Sequence, residues 1–277
     1  MATIGVLHPG EMGSAVGAAA RARGARVLWV STGRSPATRG RAEADGLEDA
    51  GTMTRLVTES SVIFSVCPPA AALDVAGEVA AFGFRGTYVD ANAIAPKTTR
   101  RVGELVAAAG ATFVDGGIIG PPPRAPGAAR LYVSGPAAVD VAVLFRHSMV
   151  EAIPVAGPIG AASAVKMAYA AWNKGSQALL LAVRTLAMRE GVDDALLDEW
   201  TRSQPDLPRR SERAVATNVR KAWRFVGEME EIAASFEAAG LPRGFHEAAA
   251  EVYRRLVGWK DTATSPSVAE VAKALAP

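Results

Sequence analysis

Apolar residues fall into two regimes along the chain. Up to Val155, short apolar runs recur: Thr3–Leu7, Arg26–Val30, Val62–Val66, Thr87–Ala91, Thr112–Ile118, Leu131–Ser134 and Ala152–Val155. Each has the length of a buried strand. Between several of them lie amphipathic or alanine-rich stretches with helical spacing, at Glu11–Arg23, Pro36–Ala44, Ala70–Ala81 and Pro96–Ala109. Strands separated by helices need crossover connections, so the pattern predicts a doubly wound, mostly parallel sheet covered on both faces. After Gly160 the strand signals stop. Ala161–Arg189 has the period of one long helix, and the rest divides into helices at Gly191, Pro205–Pro208, Gly240–Pro242 and Ser265–Pro266. The expectation is an α/β domain over residues 1–157 and an all-helical domain over 158–277, with a Pro-rich loop at Pro121–Gly127.

The first strand runs into Leu7-His8-Pro9-Gly10-Glu11-Met12-Gly13 and then a helix. In a Rossmann domain such a turn brings backbone close to a pyrophosphate, and the helix N-terminus supplies amide donors and a favourable dipole. Gly10 and Gly13 fit the second and third glycines of that motif, with Glu11 and Met12 between them; His8 stands at the first. After the second strand comes Ser31-Thr32-Gly33-Arg34 with no carboxylate. Hydroxyls and an arginine suit a ribose 2′-phosphate, so the expected cofactor is NADP, ahead of NAD.

The long helix is apolar over most of its circumference, as for a helix buried between domains or subunits. Lys166, Asn173, Gln177 and Arg184 break that pattern at spacings of 7, 4 and 7, which puts them on one face, and Tyr169 lies at its edge. A buried lysine is pushed toward the neutral amine, which suits proton exchange with an alcohol during hydride transfer. Lys166 is therefore the candidate general acid/base, with Asn173 and Tyr169 as candidate catalytic partners.

These segments together resemble the 3-hydroxyacid dehydrogenase and 6-phosphogluconate dehydrogenase superfamily, over nearly the whole chain. Ile4–Gly13 resembles I-G-x-I-G-x-G-x-M-G, and Val66-Cys67-Pro68-Pro69 resembles the segment that passes beside the nicotinamide ribose. Asp90–Pro96 resembles D-x-S-T-x-x-P, with Asn92 where a hydroxyl residue is usual. Asp115–Gly120 stands in the place of D-x-x-V-S-G-G, the substrate loop, with Ile119 for its serine; Gly157, Gly160 and Lys166 match G-x-x-G-x-G-x-x-x-K. Tyr169-Ala170 stands where paired asparagines are usual. The resemblance implies cofactor contacts at Gly10, Glu11, Met12, Gly13, Ser31, Thr32, Arg34, Val66, Cys67, Pro68 and Asn92, and substrate contacts at Ile118, Ile119 and Gly120. His246, after a Pro/Gly turn, is a further substrate candidate, set against a capping or surface role. The implied activity is oxidation or reduction of a small alcohol/carbonyl pair. Imine reduction and a dinucleotide-binding sensor without turnover stand as alternatives.

Composition narrows the setting. A net charge of +2 gives no field to recruit nucleic acid or a membrane surface, and no apolar run reaches spanning length. Arg209–Arg224 is basic, but it lacks interleaved aromatics and is expected to be solvated, with Arg213, Arg220 and Arg224 on one helical face. Cys67 is the only cysteine, so no intrachain disulfide is possible and a reducing cytoplasm is expected; no signal peptide is apparent. Three dispersed histidines give no metal spacing. The expected partners are a small-molecule substrate and a second copy, in a homodimer through the helical domain.

Overall fold

The computed structural model describes residues 2–260 and 262–276. It divides into two compact units, one reaching to Met167 and one starting at Ala168, so the division falls inside the long helix instead of at Gly157. The first unit contains β1 (Thr3–Leu7), α1 (Glu11–Arg21), β2 (Arg26–Trp29), α2 (Pro36–Ala44), β3 (Glu48–Asp49), α3 (Met53–Glu59), β4 (Val62–Ser65) and α4 (Ala72–Ala81). It continues through β5 (Thr87–Asp90), α5 (Pro96–Ala108), β6 (Thr112–Ile119), β7 (Ala129–Ser134), α6 (Ala138–Leu144) and β8 (Val150–Pro154), and ends on the start of α7 (Ala161–Arg189). The second unit holds the rest of α7, then α8 (Asp193–Ser203), α9 (Leu207–Asn218), α10 (Ala222–Ala238), α11 (Gly244–Arg255) and α12 (Val268–Leu275).

The strands form one sheet in the order β3-β2-β1-β4-β5-β6-β7-β8, parallel except where β7 runs antiparallel to β6. That reversal lets the Pro-rich segment join β6 to β7 without a crossover helix. One face of the sheet buries Val16 and Ala19 of α1, Trp29, Phe64, Leu131 and Phe145; the other buries Leu56, Ile63, Val75, Tyr88, Val102 and Phe113. β3 and α3 were not expected from the sequence. β3 has two residues, Glu48 and Asp49, both exposed, so it carries no apolar run to read. Helix starts follow local chemistry: Pro36, Pro96 and Pro208 stand in first turns, where a missing N–H is harmless. Arg213, Arg220 and Arg224 are all exposed, on a stretch where α9 ends at Asn218 and a 3-10 turn, Val219–Lys221, leads into α10.

His8 holds φ at +58°. The turn out of β1 therefore needs the left-handed conformation that the motif's first glycine normally provides, and histidine adopts it at a cost. The same turn brings Gly10 N–H to the His8 carbonyl at 2.6 Å, and a Cβ on Gly13 would stand 3.2 Å from that oxygen.

The start of α7 is fastened to β6 by Asp115, which is fully buried. Its carboxylate accepts from Gly160 N at 3.0 Å, Ser163 N at 3.1 Å, Ser163 Oγ at 2.6 Å and Ser134 Oγ at 2.8 Å. Gly117 completes the join: a Cβ there would meet the Ala162 carbonyl at 2.7 Å and Lys166 Cβ at 3.0 Å. Strand β6 thus presents bare backbone where the helix crosses it.

Two stability measurements test this account. Asp115→Ala strands buried N–H and O–H donors and should lower unfolding free energy by about 3 kcal/mol in a urea titration; an unchanged midpoint would refute its role as the fastening. At the turn, His8→Gly should stay within about 1 kcal/mol of the parent, since relief of left-handed strain offsets glycine's chain entropy. His8→Val should lose about 2 kcal/mol, because a β-branched residue resists that conformation. Equal stability of the glycine and valine variants would show that the turn makes no such demand.

Candidate functional site

A cleft of about 330 Å³ opens at the ends of β1 and β2, lined among others by His8, Thr32, Arg34, Gly51, Met53 and Glu78. The end of β1, Val6 and Leu7, lines it together with His8, the residue that leads into the glycine turn. Gly10 caps α1 with no side-chain bond to the helix amides, and a Cβ on it would meet nothing closer than the His8 carbonyl at 3.9 Å. The first-turn amides, on Glu11, Met12 and Gly13, are the donors an anion would use. Gly13 has the packing role of a third glycine, since its Cβ would lie 3.4 Å from Val66 Cβ.

The wall beyond β2 is built by local turns. Arg34 N bonds Ser31 O at 3.0 Å around Gly33, whose φ is +73°, and Ser35 Oγ caps α2 through Thr38 N at 3.2 Å. Ser31 N donates to Asp49 Oδ1 at 3.1 Å, and Thr32 Oγ1 donates to Gly51 O at 3.2 Å, so the β2 turn is held to the turn after β3. Asp49 is a residue that sequence reasoning missed: it brings a carboxylate beside Ser31 from the neighbouring strand. One of its oxygens also accepts from Gly51 N at 2.9 Å, so that oxygen serves the turns. Arg34 Nε and His8 Nδ1 are buried with no hydrogen-bond partner among the described residues. Burial, then the charge of Arg34, lowers the His8 imidazole to about 4. Among the described residues, the cleft therefore holds the Arg34 cation, the Glu78 carboxylate, a neutral imidazole and polar atoms with unmet capacity. That donor set, with the open glycine cradle, fits a phosphate-bearing dinucleotide.

At the ends of β4 and β5, Asn92 is buried and its amide is engaged within the fold. Its Oδ1 accepts from Cys67 N at 2.6 Å, while Nδ2 donates to Ser65 Oγ at 3.0 Å and Asp90 Oδ2 at 2.9 Å. Asn92 thus fixes the loop carrying Val66, Cys67 and Pro68. Burial raises the Cys67 thiol to about 11, so it is a packed thiol and no nucleophile.

Ile118 and Ile119 are buried, at 6% and 3% exposure, which leaves them little side chain to offer a ligand. Gly120 ends the strand at φ +120°, where a Cβ would fall 2.2 Å from the Ala128 carbonyl. Strand alternation puts Ile119 on the face of Gly117, the face that meets the start of α7. Lys166 lies on that first stretch of α7, half-buried instead of fully buried. The Pro-rich loop after β6 is tied down by Arg124, which pairs with Asp45, and Ser14 Oγ bonds the same carboxylate. Neither Arg124 nor Asp45 was singled out from the sequence, because only the fold makes them neighbours.

Within the second unit, Tyr169 and Trp172 are exposed at 46% and 71%. Asn173 Oδ1 accepts from Gln177 Nε2 at 3.1 Å, and Gln177 in turn bonds Asn218. Arg184 is structural: it bonds Asp193 through Nε at 2.6 Å and Nη2 at 2.8 Å, and Ser211 through Nη1 at 2.8 Å. His246 corrects the expectation of a capping or surface residue. It is buried, with its ring centroid 4.2 Å from that of Phe236, because α11 packs its first turn against α10. The half-buried Lys174, paired with Glu228 over the Phe225 ring, was also missed.

Comparison with known proteins supplies the family. The model of the NAD binding domain of 6-phosphogluconate dehydrogenase matches residues 3–143, half of the chain, and a domain of unknown function, DUF1932, matches residues 187–256. An uncharacterized 28.5 kDa protein of Methanothermus fervidus is 30% identical over 166 residues, a match spanning 60% of this chain and 63% of that protein's length. Among solved structures, a conserved protein of unknown function described as similar to 3-hydroxyacid dehydrogenases aligns with TM-score 0.71 and 26% identity, over 93% of this chain and 97% of its own. The fold is shared with Mycobacterium tuberculosis 3-hydroxyisobutyrate dehydrogenase in a structure with L-serine (TM-score 0.71, 20% identity, all of both chains). It is also shared with the Aspergillus terreus reductive aminase in complex with NADPH and ethyl levulinate (0.57, 18%, 99% of each). The chain belongs to the family defined by the NAD binding domain of 6-phosphogluconate dehydrogenase.

Proposed function

We propose that the chain is an oxidoreductase that uses NADP and interconverts a small alcohol and its carbonyl, with Lys166 as general acid/base. The observation that carries the cofactor assignment is the cleft wall at β2, where Arg34 stands with a buried, partnerless Nε and the strand itself ends in hydroxyls. A guanidinium beside the ribose favours a 2′-phosphate through charge-assisted hydrogen bonds, whereas a ribose diol calls for an acceptor. Gly10, Glu11, Met12 and Gly13 hold the pyrophosphate on their amides, and the Asn92-braced loop of Val66, Cys67 and Pro68 borders the nicotinamide end. When bound, the nicotinamide supplies or accepts the hydride.

Lys166 sits over Gly117 because that glycine lets α7 approach β6. In reduction its ammonium protonates the oxygen that gains charge; in oxidation its amine removes the hydroxyl proton. Tyr169 and Asn173, three and seven residues further along the helix, are auxiliary polar groups in this reading. The face of β6 that meets α7 carries Ile119, where the family resemblance calls for a serine. An apolar wall there favours a substrate without a carboxylate at that point, and it supports C=N reduction as the second reading; that reaction also needs a proton donor. Trp172, Leu179 and Leu186 recur at seven-residue spacing on α7 and are 71%, 63% and 63% exposed. This stripe supports a homodimer through the helical domain.

Titration calorimetry should find NADP bound at least about tenfold more tightly than NAD, with Arg34→Ala removing that preference and leaving NAD affinity unchanged. In a screen of 3-hydroxyacids and cyclic imines, Lys166→Met should lower turnover about 10²- to 10⁴-fold at unchanged NADP affinity. Turnover on neither class, or turnover indifferent to Lys166→Met, would overturn the mechanism. Sedimentation at micromolar concentration should show a dimer that Leu179→Glu converts to a monomer; a monomeric parent would remove the dimer.

A further inference from the structure

His8 occupies a position where the backbone demands left-handed φ, and the residue that meets this demand without strain is glycine. A strained non-glycine residue in a ligand-binding turn points to work for its side chain. The ring lines the same cleft as Thr32 and Arg34, and the guanidinium charge is felt at the imidazole. Nδ1 is buried without a partner among the described residues. A buried lone pair left alone is tolerated better than a buried N–H, so the neutral ring carries its hydrogen on Nε2.

We propose that His8 is a second specificity residue for the phosphate monoester on the adenosine ribose: its imidazole takes up a solvent proton at the unpartnered Nδ1 as the phosphate binds, and that N–H donates to the phosphate alongside Arg34. This inference rests on the NADP reading above and adds a residue and a linked proton to it. The charges around the ring set the direction. Arg34, after β2, repels a proton on His8, and Glu78 of α4, lining the same cleft, attracts one. Glu11 opens α1 just beyond the turn, Arg41 of α2 donates to the Pro9 carbonyl at 3.4 Å, and Asp49 of β3 is engaged by the Ser31 and Gly51 amides. Without ligand, burial and Arg34 keep the ring neutral. A phosphate dianion in the cleft offsets Arg34 and favours the imidazolium. Protonation on binding makes affinity rise as pH falls.

The test is calorimetric titration of NADP and NAD from about pH 6 to pH 8; the phosphate's own second ionisation, at about 6, enters at the lower end, so the slope and proton count due to His8 are read as the difference between the parent and His8→Gly. It uses the parent, His8→Gly, His8→Asn and Arg34→Ala, with two buffers of different ionisation enthalpy to count protons. In the parent, the NADP/NAD affinity ratio should rise several-fold per pH unit on acidification, with proton uptake for NADP but not for NAD. His8→Gly suits the backbone and should fold. It should lose the pH slope and the proton, and about tenfold of NADP affinity at pH 6, while keeping the share due to Arg34. His8→Asn tolerates the same φ and should keep a donor but no slope. A ratio and slope unchanged in His8→Gly would overturn the assignment of His8 and leave NADP standing if Arg34→Ala still loses its preference. NAD bound as tightly as NADP by the parent at every pH would overturn the NADP reading itself.

Discussion

Asp115 is a carboxylate with no exposure, placed midway along β6 and surrounded by the amides of Gly160 and Ser163 at the start of α7, two serine hydroxyls and bare glycine backbone. A buried charge is tolerated only when it is well solvated by fixed dipoles, and the start of a helix offers such dipoles in a concentrated form. The helix therefore has to begin where Asp115 is. Gly117 then removes the side chain that would hold the helix off the sheet, and Lys166 arrives at a set height above β6. Ser163 extends the junction, bonding both Asp115 and Thr99 of α5, so the join is braced from two elements.

The neighbouring strand shows a different solution to the same problem. Asp90, in register with Asp115, is also buried, but its partners are the backbone and amide of Asn92. Burial, partly offset by those bonds, pushes its carboxyl up to about 7. One carboxylate anchors a helix, and the other braces, through Asn92, the loop of Val66, Cys67 and Pro68. Both loops that the proposed chemistry uses thus hang from buried aspartates one strand apart.

Much of this was legible in the sequence. Apolar runs and helical stretches gave seven strands and the long helix, because each buries a continuous face. β3 escaped since its two residues are exposed, and α3 followed it. Gly10, Gly13, Arg34 and Lys166 stood out in the sequence because a local motif calls for backbone freedom or charge at each. The sequence pattern missed Asp49, Asp45, Arg124 and Lys174, whose partners lie far away in sequence or on another strand. His8 looked like a defect in a motif; the backbone angle shows that the turn is intact and that histidine carries it. His246 could not be read, because burial of a helix start depends on which neighbour packs against it. Ile119 was recognisable as a departure, but that it faces α7 follows only from the strand's register.

The tie between Arg124 and Asp45 has a consequence for how the two ends of the active region respond to their surroundings. Its arginine is half exposed, at 51%, so dissolved ions weaken this contact far more than they weaken the buried junction at Asp115. Three consecutive prolines, Pro121 to Pro123, already stiffen the loop and lower the entropy lost when it is ordered. Ionic strength therefore acts as a dial on the tether of the β6–β7 loop, while the buried junction that sets Lys166 over β6 keeps its shape.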